Sequence, residues 1–119
     1  MLRLAKVKRR KVGNVTILDL TGEITRGNSV LALRQAFTEI DHESEGGNGD
    51  ILLNLKDAGR IDNAGLMEFH YGRGKAEKRG GDFKICALNG EAVGDPMIVL
   101  ALEQAFDIYE TEAAALASN

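Results

Sequence analysis

The sequence predicts an α/β fold in which about four helices pack against a mixed sheet of four to five strands. Two observations lead to this prediction. The segment Ile51–Leu55 is apolar with one interruption, which is typical of a strand covered on both faces. Strand-like and helical segments then alternate along the chain, which favours strand–helix–strand units with parallel pairing.

The composition limits the class of protein. The 119 residues are enough for one domain with a hydrophobic core, predicted over 1–119. Hydrophobic residues make up 44%, and the net charge of −3 does not favour nucleic acid as a partner. We find no apolar run of about 18 residues and no secretory signal, so no membrane association is predicted. The single cysteine, Cys86, has no disulfide partner, and we expect a cytoplasmic protein.

The first two predicted strands form a hairpin. Residues 2–10 and 15–20 have strand patterns, and turn-forming residues at 12–14 separate them. The first strand contains a basic run, Lys6–Lys11. We interpret this run as the charged edge of the sheet, because charge on an edge strand discourages pairing between sheets. The alternative is that the run binds an anionic partner.

A loop is predicted over 21–27, with a brief extended piece around Ile24 as an alternative. It leads to the first helix, which Asn28 or Ser29 can cap. The apolar residues of this helix recur at steps of three and four, as one helical face requires. They are Val30, Leu33, Phe37 and Ile40. A polar, glycine-rich loop is predicted over 41–49, before the apolar strand.

The second half of the chain continues the alternation. A loop over 56–60 connects the apolar strand with a helix over 63–79, which Asp62 or Asn63 can cap. Gly72 lies inside this helix, and close packing of the backbone against the sheet explains it best. The elements predicted next are a strand over 83–88, a helix from Asp95-Pro96, a strand over 106–109, and a helix capped by Thr111 and ending at Ala117.

Two details of this half allow alternatives. Gly74 accompanies Gly72 and has the same explanation, although a hinge is an alternative for both. The helix at Pro96 has an earlier start at Glu91 as its alternative, with a kink at the proline.

The sequence contains no recognisable catalytic or metal-binding arrangement. His42 and His70 lie on different predicted elements, and with Cys86 they do not have the spacing of a zinc site. No glycine-rich segment matches a phosphate-binding loop, and no serine has an evident histidine base. We therefore expect no enzymatic activity, no metal and no cofactor.

The segment Met97–Leu102 is apolar on every side of its predicted helix. Such a helix is either buried on all sides or exposes an apolar patch to another protein. In a chain of this size we favour the patch, with Met97 and Leu100 as candidate contacts. The occupant is a homodimer partner or a different protein.

Several motifs, in matching order and spacing, resemble those of STAS domains, the sulfate-transporter and anti-sigma-factor-antagonist family. Leu20–Ile24 (LTGEI) is similar to the family's LTGEL turn. Leu53–Leu55 (LNL) followed by Ile61–Leu66 (IDNAGL) is similar to its LNL…DSSGL signature. Arg79–Lys84 (RGGDFK) and Phe106–Tyr109 (FDIY) are similar to two segments near the end of the domain.

The resemblance covers about residues 6–117 and implies a STAS fold with a non-enzymatic, regulatory role. In antagonists of this family, the serine after the signature aspartate is phosphorylated by a kinase that is also the anti-sigma factor. The unphosphorylated form binds that kinase. Asn63 occupies the position of this serine and Ala64 that of the next. An amide nitrogen is a poor nucleophile, so we expect a member that is non-phosphorylatable at this position. The alternative is that Thr25 serves as the phosphoacceptor.

The predicted partner is therefore an anti-sigma factor with serine-kinase activity or another STAS protein. The predicted partner-binding residues are Thr25, Arg26, Gly27, Asp62, Asn63, Ala64, Gly65, Leu66, Met97 and Leu100. A self-assembling scaffold component is one alternative function. A nucleotide-binding or small-molecule-binding module is the other, although the chain has no phosphate loop.

Overall fold

The structure, a computed structural model, describes residues 5–27, 30–43 and 49–118. The strands are β1 (Lys6–Val12), β2 (Val15–Ile24), β3 (Asp50–Ile61), β4 (Phe83–Cys86) and β5 (Asp107–Tyr109). The helices are α1 (Val30–Glu43), α2 (Asn63–Lys78), α3 (Gly90–Val93), α4 (Pro96–Ala105) and α5 (Glu112–Ala117).

The five strands form one sheet in the order in which they occur in the chain. β1 is antiparallel to β2, whereas β2, β3, β4 and β5 are parallel to their neighbours. The predicted α/β class with a mixed sheet is confirmed. The described residues form five helices instead of about four, because Gly94, at a φ of +91°, ends α3 and Asp95 then caps α4.

The loop predicted over 56–60 is wrong, and the loop predicted over 21–27 is wrong for residues 21–24, where the extended alternative around Ile24 is closer to the structure. Residues 21–24 continue β2, and residues 56–61 continue β3, and the two extensions pair in parallel. The pairing register shifts after Asp19 and again after Gly22, so the polar residues and glycines fit a strand that bulges. Polar composition suggested loops here, whereas the ladder of backbone hydrogen bonds continues across both bulges.

Other boundaries differ less from the predictions. α1 extends to Glu43, beyond the predicted start of the loop at residue 41. β4 ends at Cys86, because Ala87 leaves extended geometry with a φ of +60°. Residues 2–4, the proposed caps Asn28 and Ser29, and residues 44–48 lie outside the described residues.

The two faces of the sheet are covered unequally. Alternate residues of the strands face α1, α2, α3 and α4, and they form the main core with Phe37 and Phe69. On the other face, α5 covers a smaller cluster of Ile17, Leu52 and Cys86 through Ala115. The rest of this second face is open at its β1 side, where a groove of about 840 Å³ lies.

The two glycines inside α2 have different environments. A Cβ at Gly72 would overlap the ring of Phe37, so this glycine lets α2 approach α1 and not, as predicted, the sheet. A Cβ at Gly74 would meet nothing within 4 Å, so the close-packing explanation is wrong for this residue.

These environments predict opposite effects of the same substitution. We expect Gly72→Ala to lower the free energy of unfolding by about 1–3 kcal/mol, because the Phe37 ring must shift within a packed core. We expect Gly74→Ala to raise it by up to about 1 kcal/mol, because alanine favours an exposed helix interior. Urea denaturation of both variants measures the difference. Equal changes in the two variants would contradict this packing.

Candidate functional site

Asp62 connects the start of α2 with the loop after β2. It has extended backbone geometry and caps the helix, with its Oδ1 accepting a hydrogen bond of 3.0 Å from the Gly65 amide. Its Oδ2 accepts a second bond of 3.0 Å from the Arg26 amide. Both carboxylate oxygens therefore hold backbone groups. Of the two predicted caps, Asp62 is the one used, and Asn63 is the first helical residue with an exposed side chain.

Gly65 allows α2 to begin directly against the ends of two strands. A Cβ at this position would overlap the Ile24 carbonyl oxygen and would lie 3.1 Å from Cγ2 of Ile61. The amide of Asp62 also donates to the Ile24 carbonyl, at 3.4 Å. The first turn of α2 is therefore seated on the ends of β2 and β3, and Asn63 is held at the outer surface.

The topology brings the starts of three helices to one edge of the domain. α1, α2 and α4 each connect the end of one parallel strand with the beginning of the next, so all three begin at the carboxyl edge of the sheet. Because β3 and β4 are central, α2 lies between α1 and α4. This edge is where open α/β sheets usually bind ligands and partners.

Exposed apolar side chains lie on the three helices that begin at this edge, and Asn63 is at the start of the middle helix. The exposed fractions are 78% for Leu31 on α1, 64% for Met67 on α2, and 70% and 45% for Met97 and Leu100 on α4. We call these four residues and Asn63 the helix-start surface. Several large apolar side chains exposed along one edge are typical of a surface that binds another protein. They do not resemble a catalytic arrangement.

The helix-start surface includes residues that the sequence interpretation missed. Leu31 and Met67 are apolar residues that fall outside the buried positions of their helices, and this departure from periodicity was the available signal. For α4, both predicted alternatives are present. Ile98 and Leu102 are buried, whereas Met97 and Leu100 form the exposed patch.

The predicted partner-binding residues occupy this edge with different exposure. Those exposed are Arg26, Gly27, Asn63, Met97 and Leu100. Those half-buried are Thr25, Asp62, Ala64 and Leu66, and Gly65 is buried. Asp62 and Gly65 therefore hold the start of α2 in place, and the five exposed residues are the ones that a partner can contact.

A partly buried ion pair joins α1 to α2 close to the helix-start surface. The Arg34 guanidinium donates from Nε and Nη2 to the two carboxylate oxygens of Glu68, at 2.9 and 2.8 Å. Glu68 is buried, and Arg34 also lies 3.7 Å above the ring of Tyr71. The hydrogen bonds to Glu68 raise the pKa of Arg34. Leu31 and Met67 lie within one turn of this pair, so the pair holds the helix segments that carry them next to each other.

A second charged network lies on the open face of the sheet. Arg10 donates to both oxygens of Asp19, at 2.6 and 2.9 Å, and to both oxygens of Glu112. Asn54 also donates to Glu112, at 3.1 Å. These hydrogen bonds from Arg10 hold the pKa of both carboxyl groups below its usual range. The network fastens the start of α5 to three strands beside the groove.

The described residues offer little chemistry for catalysis. They contain no cluster of three or more histidine, cysteine, aspartate or glutamate side chains able to hold a metal ion. Burial raises the pKa of Cys86 to about 11, so its thiol is not activated as a nucleophile. Within the same residues, no helix has the length and apolar character needed to cross a bilayer.

Comparisons with known proteins identify the fold. No protein-family model matches the sequence, and no curated protein matches it. An anti-sigma factor antagonist from Mycobacterium paratuberculosis superimposes with a TM-score of 0.76 at 22% identity, over 94% of this chain and 91% of that chain. TM1081 from Thermotoga maritima gives 0.70 at 27% identity, over 91% and 83%.

The same fold occurs in an antagonist solved in its unphosphorylated form. SpoIIAA superimposes with a TM-score of 0.71 at 14% identity, over 93% of this chain and 94% of that chain. The chain therefore has the fold of anti-sigma factor antagonists with STAS domains, and the fold implied by the sequence motifs is confirmed.

The two bonds of Asp62 predict the stability of its variants. We expect Asp62→Ala to lower the free energy of unfolding by about 0.5–2 kcal/mol, because the Gly65 amide loses its acceptor. Asn63→Ala is the matched control, and we expect it to stay within about 0.5 kcal/mol of the original chain because Asn63 is exposed. Thermal unfolding measures both. An equal loss in the control would show that Asn63 is the cap.

Proposed function

We propose that this chain is a regulatory protein of the anti-sigma factor antagonist type, and that its helix-start surface binds an anti-sigma factor with serine-kinase activity. The observation that supports this proposal is the exposed Asn63 at the first position of α2, between the capping Asp62 and the buried Gly65. This frame matches the signature that surrounds the phosphorylated serine in antagonists, with Asn63 and Ala64 in place of its two serines.

The chemistry of Asn63 determines how such a protein is controlled. A phosphoryl group would add about −1.5 to −2 charges in the middle of the helix-start surface. Binding a partner there would then require desolvation of that charge among Leu31, Met67 and Met97. The Asn63 amide accepts no phosphoryl group, so the helix-start surface stays uncharged and competent to bind. Control of this protein lies outside the usual phosphorylation switch.

The loop after β2 contributes a second part of the proposed interface. Asp62 holds the Arg26 amide, so Arg26 and Gly27 are fixed beside the start of α2 while their own surfaces remain exposed. Arg26 supplies a positive charge that suits an acidic group on the partner. Thr25 has a hydroxyl but is half-buried at the end of β2, which makes it a poorer phosphoacceptor than an exposed residue.

Phosphorylation assays with a matched variant test this proposal. We expect the original chain to bind an anti-sigma kinase from its source organism and to take up no phosphate from ATP. The Asn63→Ser variant restores the hydroxyl, and we expect it to incorporate one phosphate per chain and then to bind at least tenfold more weakly, a change of about 1.4 kcal/mol.

The controls for this assay separate its possible failures. Mass spectrometry of the original chain detects transfer to Thr25, and stoichiometric phosphate there would contradict permanent competence. Failure of both proteins to bind any anti-sigma kinase of the source organism would contradict the antagonist role itself.

Self-assembly as a scaffold component is a second candidate, which the exposed Met97 and Leu100 support. If the protein self-assembles, we expect it to sediment as a dimer at micromolar concentration. The double variant Met97→Lys with Leu100→Lys is expected to sediment as a monomer. Val12→Lys is the control, because Val12 is also exposed but lies on the hairpin. A monomer at every concentration would contradict self-assembly.

A further inference from the structure

The outer edge of β1 is basic and has no neighbouring strand among the described residues. Five of its seven residues are lysine or arginine, out of 15 such residues in a chain of net charge −3. Edge strands present unpaired backbone N–H and C=O groups that another extended chain can use. This concentration of positive charge along an open edge is not part of the helix-start surface.

The arginines of β1 are engaged within the domain, and the lysines are not. Arg9 pairs with Glu43 on α1, at 3.1 Å from Nη1 and 2.5 Å from Nη2, and Arg10 pairs with Asp19 and Glu112. The other three cations are Lys6, Lys8 and Lys11. All three are exposed, and none forms an ion pair with a residue that the structure describes.

The alternation of side chains along β1 decides which face of the sheet each lysine points to. Lys6 and Lys8 point to the open face of the sheet, where they line the groove of about 840 Å³ together with Arg10. Lys11, an odd number of residues away, points to the opposite face. A chain added beside β1 would therefore meet a positive side chain on either face, and it would have the groove beside it on one of them.

We propose that the outer edge of β1 binds an acidic, extended segment of a partner protein by strand addition. The segment pairs its backbone with Lys6–Val12, and its alternate carboxylates contact Lys6 and Lys8 at the mouth of the groove. The lysines repel a second copy of β1, so the same charges that prevent self-pairing select an acidic strand.

The backbone edge distinguishes this partner from nucleic acid. A phosphate chain can use the lysine charges and accept from peptide N–H groups, but its phosphates have no donor for the peptide C=O groups that alternate with them. The net charge of −3 also opposes binding of a polyanion as large as a duplex. The proposal does not depend on the function of the helix-start surface, because the groove lies on the opposite face of the sheet from α1, α2 and α4.

The probe is a nine-residue synthetic peptide of alternating glutamate and valine, titrated into the full chain and followed by amide chemical shifts. We expect shifts concentrated at residues 6–12 and at the groove, and binding that weakens as salt is added. A peptide of alternating lysine and valine is expected not to bind. The same acidic peptide with N-methylated alternate amides is expected to bind at least tenfold more weakly, because strand pairing is blocked.

Two variants with equal changes in charge complete the test. We expect Lys6→Glu with Lys8→Glu to weaken binding of the acidic peptide at least tenfold, and Arg60→Glu with Lys78→Glu to change it less than twofold. Absence of binding at millimolar peptide would overturn the proposal. Equal binding of the N-methylated peptide, or tighter binding of an oligonucleotide or of phosphatidylserine vesicles, would also overturn it, because none of these requires the backbone edge.

Discussion

The proposed binding edge of this protein depends on the contact between the start of α2 and the ends of β2 and β3. Gly65 permits the contact because any side chain would overlap the carbonyl oxygen of Ile24. Asp62 then uses one carboxylate oxygen for the helix and the other for the Arg26 amide. These contacts fix the backbone at the start of α2, so Asn63 lies at the surface in the first turn of this helix.

Charged groups divide into those that build the fold and those that remain available. The Arg34–Glu68 pair joins α1 to α2, and Arg10 joins β1 and β2 to α5. Arginine suits both tasks because its planar guanidinium can hold a carboxylate through two hydrogen bonds. The lysines of β1 are left without ion pairs among the described residues. The apolar helix-start surface and the basic β1 edge are therefore two chemically different surfaces on separate parts of one small domain.

The sequence predicted the succession of strands and helices along the chain, except for α3, and it predicted that Asn63 lies at the start of a helix, because each of these depends on local patterns. Apolar runs marked β2 and β3, and the signature motif located the start of α2. The extensions of β2 to Ile24 and of β3 to Ile61 could not be predicted in this way. Their polar residues are extended because the two segments, distant in the sequence, pair with each other across bulges. The Arg34–Glu68 pair was equally inaccessible, because its residues are 34 positions apart and meet only when two helices pack. Met67 and Leu31 were overlooked because periodicity identifies buried faces and not the apolar residues outside them.

Amide hydrogen exchange of the full chain, alone and bound to an anti-sigma factor of its source organism, tests the central claim most directly. The account predicts added protection in the partner-bound state at residues 25–27, in the first two turns of α2, and around Met97 and Leu100. Protection confined to α5 or to the β1 edge, with the start of α2 unchanged, would contradict it.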